Sequence, residues 1–405
     1  MLRRLTLSSA VSVAIATMLS APVFAVEPQP IEAGRFNIIP TLGVEYSHTD
    51  NMYLDDSGER SSNLLEVIPR VEAYTQNEGG SNVIFRGQVF DGNYSISDVD
   101  DYTDWRFDVI GDIILNSRNS LVLSAYAYDG HNRRGTGFSQ GGVLFAQPET
   151  WSDRSVGGSY QFGMDNSPNL LLTLNRYSRE YDALNILSQF GDVDRDNVAV
   201  RFTWPVSPRT GVFVEYQDNS SDYQTDPLPA AGLVDTRDFD ENFIYVGVSW
   251  EATALTSGSV KLGNGKQDMK DTDRVDPSGF SFDISIDWEP MTYSAVNFNA
   301  FRRFTETFAF GDSLQTTQFA VTWNHDWSDR ISSLFEYSIT DDEYKGISRN
   351  DDIDSISIGV NYALQRWMDV NLSIVNAERD SSFGASSNLF SWKETSIFAG
   401  LTISL

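Results

Sequence analysis

From residue 36 onward the chain is one alternating segment after another, and no other feature constrains its fold as much. Phe280, Phe282, Ile284, Ile286 and Trp288 are separated by Ser281, Asp283, Ser285, Asp287 and Glu289. Val198, Val200, Phe202 and Trp204 alternate with Ala199, Arg201 and Thr203. Ile356, Ile358, Val360, Tyr362 and Leu364 alternate with Ser355, Ser357, Gly359, Asn361 and Ala363. A period of two places the apolar set on one face of an extended strand. The segments run roughly 10 to 15 residues, the length of a tilted membrane strand with its extensions. A soluble sandwich also alternates, but over segments nearer five or six residues. No fixed repeat marks propeller blades.

The connections alternate as well. Short turns built from turn-forming residues are expected at 117–119, 166–169, 206–209, 289–292, 327–330 and 364–367. Between them lie longer polar connections at 50–61, 97–101, 134–149, 183–194, 226–235, 271–278, 309–312, 341–350 and 382–387. Short periplasmic turns and longer outer loops are the habit of bacterial outer-membrane barrels. After residue 25 there is no run of about 20 apolar residues, so a membrane-spanning reading requires strands, and only a closed barrel satisfies every backbone group in lipid. The fold class is therefore all-β: a transmembrane, antiparallel, up-and-down outer-membrane β-barrel of about 16–18 strands. The weakest segment is 258–270, with Gly263, Gly265 and three lysines.

The two ends agree with this. Residues 1–25 carry Arg3 and Arg4, a short apolar run, and small residues at the end, Val23 and Ala25, which is the pattern of a cleaved secretory signal peptide. Residues 26–35 are expected to be a short periplasmic lead and 36–405 the barrel. At the other end Ile397, Ala399, Leu401, Ile403 and Leu405 alternate with Phe398, Gly400, Thr402 and Ser404. This is expected to be the closing strand, paired with residues 36–47 and read by the barrel-assembly machinery. Trp204, Trp250, Trp288, Trp327 and Trp367 fall near the short turns, as a periplasmic aromatic girdle would. The expected location is the outer membrane of a Gram-negative cell, with membrane lipid as the first partner.

Composition narrows the chemistry. There are 57 acidic and 29 basic residues, a balance that argues against nucleic acid as a partner. No cysteine is present, so disulfides, thiol chemistry and Cys-ligated metal are excluded. His48, His131 and His325 lie on separate segments without metal-ligand spacing, and no cofactor is expected. Residues 271–276 resemble part of a calcium loop, but lack its glycine and terminal glutamate and read as a solvated loop.

Parity assigns an inward face. The expected pore-lining residues are Arg86, Arg106, Asp108, Asp112, Tyr126, Tyr128, Tyr177, Arg179, Arg201, Glu215, Asp283, Asp287 and Glu336. Glu45, Glu66, Arg70 and Glu72 share that face. Charges there are affordable only beside water; facing lipid they would cost kilocalories each. Tyrosines among them offer flat apolar faces with polar tips, suited to sugar rings. The alternative is a hydrated, mutually paired wall with no specific ligand. The glycine-rich stretch at 128–142 reads in two ways. Either it folds into or over the pore, with His131, Arg133 and Arg134 as a constriction, or it is a surface loop whose arginines pair with the acidic exterior.

The first strand ending in His48-Thr49-Asp50-Asn51, the repeated hairpins with Ser-x-Arg turns, and the His131-Asn132-Arg133-Arg134-Gly135 stretch resemble the putative β-barrel porin type 2 family of Gram-negative outer membranes. The resemblance covers nearly all of the chain after residue 25. It implies an outer-membrane pore without catalytic residues. Members are often encoded among exopolysaccharide synthesis genes, so it also implies export of an exo- or capsular polysaccharide, handed over by a periplasmic export partner. A general or ion-selective diffusion porin for small hydrophilic solutes is the second reading. An outer-membrane hydrolase, built on a Ser–His pair through His131 or His325, is the third.

Overall fold

The computed structural model describes residues 29–404 except 77–78, 142–144, 165, 183–186, 226–235, 254 and 308–309. The expected signal peptide at 1–25, Leu405 and the connection 226–235 lie outside the described residues.

The alternating segments become long strands. After a three-residue β1 (Ile31–Ala33) come β2 (Phe36–Thr49), β3 (Ser62–Gln76), β4 (Asn82–Tyr94), β5 (Tyr102–Asn116), β6 (Asn119–Asn132) and β7 (Glu149–Phe162). Then follow β8 (Asn169–Tyr181), β9 (Val193–Ser207), β10 (Thr210–Tyr223), β11 (Phe239–Thr253), β12 (Thr256–Met269) and β13 (Ser278–Met291). The series ends with β14 (Ser294–Thr305), β15 (Ser313–Ser328), β16 (Ile331–Lys345), β17 (Asn350–Gln365), β18 (Met368–Ser381) and β19 (Trp392–Ser404). Each of β2 to β19 pairs antiparallel with its sequence neighbour, and β19 returns to β2, so eighteen strands close an up-and-down barrel. The closing ladder runs from Ser396 opposite Thr49 to Ser404 opposite Thr41. Beyond it, on the same edge of β2, β1 folds back so that Ile31 faces Ile38 and Ala33 faces Phe36. Pro40, which has no N–H to leave unpaired, lies between the two ladders.

Why the strands close this way follows from their faces. Ile356, Ile358, Val360 and Tyr362 on β17 are exposed, as are Val198, Val200, Phe202 and Trp204 on β9. The alternate face points inward and holds the buried clusters, among them Phe243, Tyr245 and Phe304. An apolar exterior around a polar interior is the inverse of a soluble protein and fits lipid. Trp204, Trp288, Trp327 and Trp367 are exposed beside the two-residue links 208–209, 292–293, 329–330 and 366–367. His325 stacks there between Tyr293, Trp323 and Trp327, on the outer face.

Three details differ from the sequence reading. Two further short connections, between β3 and β4 and between β11 and β12, fall on the same side as the short turns read from the sequence. The acidic stretch 341–350 is mostly ladder: Asp341 faces Asp352 and Asp342 faces Asp351, because strands continue to pair above the membrane where charge is tolerated. The weak segment 258–270 is a full strand, β12. Its glycines admit neighbours: a Cβ at Gly265 would lie 2.2 Å from a ring carbon of Phe243, and one at Gly263 only 2.0 Å from the carbonyl oxygen of Ile244.

Candidate functional site

The inner face has two contrasting walls, a stretch between them on β13 and β14 that carries Asp283, Asp287 and Arg303, and a mouth. On the first wall, β3 to β12, cations stand next to carboxylates. Arg86 is 2.8 Å from Glu72, with Arg70 at 3.4 Å from the same group. Arg106 pairs with Asp108 at 2.8 Å and lies over the rings of Tyr126 and Tyr128, 4.9 and 5.7 Å from their centroids. Arg179 grips Asp153 through two nitrogens, each at 2.7 Å, and stacks 4.5 Å from the Trp151 ring. The Tyr177 hydroxyl donates to the same Asp153 at 3.0 Å. Further round, the buried Glu215 accepts from Arg201 and, at 3.0 Å, from Lys261, whose nitrogen is 3.7 Å from Asp283. Asp287 accepts from Asn297. Asp112 lies opposite Asn82 and Val122 on the same face. Cross-strand opposition lines up much of this wall: Glu72 faces Arg86, which faces Asp108, which faces Tyr126, while Arg106 and Asp108 meet two residues apart on β5. Charge-assisted and bidentate contacts of this kind are the strong ones.

The second wall, β15 to β19 with β2, is made differently. Its inward side chains are mainly small: Ser355, Ser357 and Gly359 on β17, Ser396 and Gly400 on β19, Gly43 and Ser47 on β2. Among them stand carboxylates with hydroxyl partners rather than cationic ones. Glu336 accepts from Thr322 at 3.2 Å, and Asp342 from Thr316 at 2.6 Å. Glu45 sits directly across the ladder from Glu66, which accepts from the Tyr102 hydroxyl at 2.5 Å.

The mouth is crossed by residues 133–141, which leave β6 and reach over to the strands beyond the barrel seam. Arg133 makes a two-point contact with Glu394 of β19, at 2.8 and 3.0 Å. Arg134 donates to Asp100 at 2.7 Å and to the Tyr53 hydroxyl at 3.0 Å. Gly135, with a φ of +93°, presses against the carbonyl of Tyr53, where no Cβ could fit. Gln140 accepts from Arg379 at 3.3 Å and from Arg349 at 3.4 Å. Arg349 is fully buried, bonded to Asp351 at 3.0 Å and stacked 3.9 Å from the Phe390 ring and 4.3 Å from that of Tyr344. A second connection enters beside it: Glu306 pairs with Arg195 at 2.8 Å and accepts from Tyr223 at 3.2 Å.

Both loop carboxylates are tuned by these contacts. Burial pushes the Asp100 carboxyl up, but hydrogen bonds from Arg134, Ser97 and Tyr53 outweigh it and hold it below the usual carboxylate range. Burial acts likewise on Glu306 and is outweighed by the positive charges of Arg195, Arg179 and Arg237.

The two readings of 128–142 thus meet in one geometry. The loop lies over the opening, and its two arginines are bound to Glu394 and Asp100, so they present no free positive constriction. His131 is not part of the strap; its Nδ1 lies 3.0 Å from Asp104 and its ring 4.0 Å from that of Tyr102. His48 bonds Asn63. In the loop 271–276, Asp271 and Asp276 accept backbone N–H groups from Asp273 and Met269, and Arg274 turns toward Asp312. Sequence reasoning missed Asp100, Glu306, Gln140 and Arg349. All four lie in connections, where periodicity is silent, and their only signal is charge or polarity.

A closed antiparallel barrel with an apolar exterior, an aromatic girdle at its short-turn end and a charged interior defines an outer-membrane, porin-like channel. The chain belongs to the family described as Putative beta-barrel porin 2, whose model matches residues 25–405. No curated protein matches it. Among solved structures it is similar to OccK2 (OpdF) of Pseudomonas aeruginosa, with 10% identity, a TM-score of 0.48, and coverage of 91% of this chain and 98% of that one. OccK11 (OpdR) of the same organism shows 14% identity and a TM-score of 0.47, covering 94% and 99%. The FrpB iron transporter of Neisseria meningitidis (F5-1 variant) shows 8% identity and a TM-score of 0.49, covering 93% and 83%.

Proposed function

We propose that this channel exports an extracellular polysaccharide across the outer membrane. The observation that carries the reading is the aromatic face of the first wall, where Tyr126, Tyr128 and Trp151 stay half-buried with a guanidinium group against each ring. Rings with polar tips give a sugar chain apolar stacking and hydrogen bonds at once, and the paired charges beside them keep the path hydrated without one strong trap. In this reading the pore-lining residues are the inward positions already described. A periplasmic partner delivers the polymer, and β19 is the strand engaged by the assembly machinery. The test is deletion of the gene, followed by complementation with wild type or with Tyr126→Ala/Tyr128→Ala. Secreted polymer should fall on deletion and recover only partly with the double variant, at equal barrel levels in the membrane. Unchanged secretion after deletion overturns it.

A second reading, diffusion of small hydrophilic solutes, is favoured by the strap of residues 133–141 across the mouth. It predicts steady conductance in planar bilayers and uptake of small sugars in liposome swelling, with no effect of the gene on secreted polymer.

A further inference from the structure

The two walls differ in how their charge is balanced. On β3 to β12 the inward cations are each in contact with a carboxylate: Arg106 with Asp108, Arg179 with Asp153, Arg201 and Lys261 with Glu215. That wall offers little net positive charge to a passing anion. On β15 to β19 and β2, Arg379 is the one inward cation among the described residues, and it is turned to the Phe390 carbonyl and to Gln140 of the strap. The carboxylates of this second wall are unmatched over most of its length. Asp369 stands just above the periplasmic link 366–367; its carboxyl is hydrogen-bonded by Asn361 rather than by a cation, and its buried Oδ1 has no partner among the described residues. Glu336 lies midway on β16, where its partner among the described residues is the Thr322 hydroxyl. Asp342 lies nearer the mouth, and Glu45 faces Glu66 without a cation between them. Among the described residues, cations meet the carboxylates of this wall at its outer end, with Arg133 on Glu394 and Arg349 on Asp351.

We propose that this second wall is a cation-selecting track, and that the saccharide chain carried by the channel bears free amino groups. The inference rests on the export reading for its cargo, but its electrostatics stand on the lumen alone. A low-dielectric wall lined by one sign of charge concentrates the opposite sign near it. Carboxylates spaced from the periplasmic turn to the mouth give an ammonium several weak stations rather than one deep well, the condition for passage instead of capture. Serine, threonine and glycine between them leave the carboxylates unshielded. A polyuronate would meet repulsion along this wall and paired arginines on the other; Arg303 of β14, between the two walls, lies 4.1 Å from the Phe301 ring and has no carboxylate in contact among the described residues.

The test uses the full-length protein in planar bilayers under a potassium chloride gradient, with glucosamine, N-acetylglucosamine and galacturonate oligomers added in turn. The expected result is a reversal potential favouring potassium over chloride by about fivefold or more, and current block by the glucosamine oligomers at the lowest concentration. The combined Glu45→Gln, Glu336→Gln, Asp369→Asn variant should bring the permeability ratio close to one and weaken that block. Should the strap keep the channel shut, calorimetry of the same oligomers with the detergent-solubilised protein gives the same ranking. Anion preference, tighter galacturonate binding, or no preference for the amine form overturns the proposal. Cation selectivity with amine block, alongside unchanged polymer secretion after gene deletion, would remove the export reading and leave the selectivity standing.

Discussion

The wall of β3 to β12 and the wall of β15 to β19 with β2 are built from the same alternation, yet they handle charge in opposite ways. The first buries ions as pairs and packs rings over them; the second spaces carboxylates among small hydroxyl-bearing residues. A buried pair is costly to break, because removing one partner strands the other. A half-buried carboxylate beside a hydroxyl and water strands nothing when neutralised. The contrast teaches that inward charge in a barrel does two jobs. On one side it holds the lumen's shape, and on the other it is left to act on a solute.

The sharpest way to break this contrast is Glu215→Leu, which leaves Arg201 and Lys261 without their shared carboxylate. We expect a loss of about 3–5 kcal/mol, read as a lower urea midpoint for the unfolding of the detergent-folded barrel. A midpoint within error of wild type would show that the first wall is not held by its pairs. Next is Gly263→Ala on β12, where the new methyl meets the backbone of Ile244 and has no flexible neighbour to push aside. A cost of about 1–3 kcal/mol is expected in the same assay, with the neighbouring Asn264→Ala, on the outer face, as the mild control.

The strap gives a pH prediction of smaller reach. Asp100 is held below the usual carboxylate range, so its contribution is complete above the unfolded-state value of about 4 and is lost as pH falls through its depressed native value. Pepsin cleavage within 133–141 should therefore stay slow at mildly acidic pH and rise only in stronger acid, with Asp100→Asn cleaved early at every pH. Equal cleavage of the two proteins would show that the Arg134 anchor does not hold the loop. The smallest stability effect belongs to Glu336→Gln, within about 0.5 kcal/mol. Its readout is the potassium-to-chloride ratio, which should fall although unfolding is unchanged.

Much of this barrel can be read directly from period two, because each strand needs only its own residues to show which face is greasy. Ile356 to Tyr362 and their serine-bearing alternates declare the lipid and lumen sides without any partner. The pairings could not be read so. That Arg179 meets Asp153, or Glu72 meets Arg86, depends on the register between strands, and alternation repeats identically at every second residue. β12 looked weak for a related reason: glycines lower strand propensity locally, and their justification, the rings of Phe243 and Tyr245, sits on another strand. The strap was visible as glycines and arginines, but its seats on Glu394 and Arg379 are more than two hundred residues away in the chain.

The short β1 has a consequence for how the ring is sealed. Its ladder occupies the lower edge of β2 from Phe36 to Ile38, directly beneath the stretch from Thr41 to Thr49 that receives β19. A hairpin this local needs no distant strand, so it can form before the circle is joined. It then acts as a doorstop. A last strand sliding inward by one pleat would run into backbone already paired, and sliding outward would forfeit bonds at the other end. Because the stagger at the joint sets the tilt and width of the whole cylinder, three residues outside the barrel proper help to decide the bore of all eighteen strands.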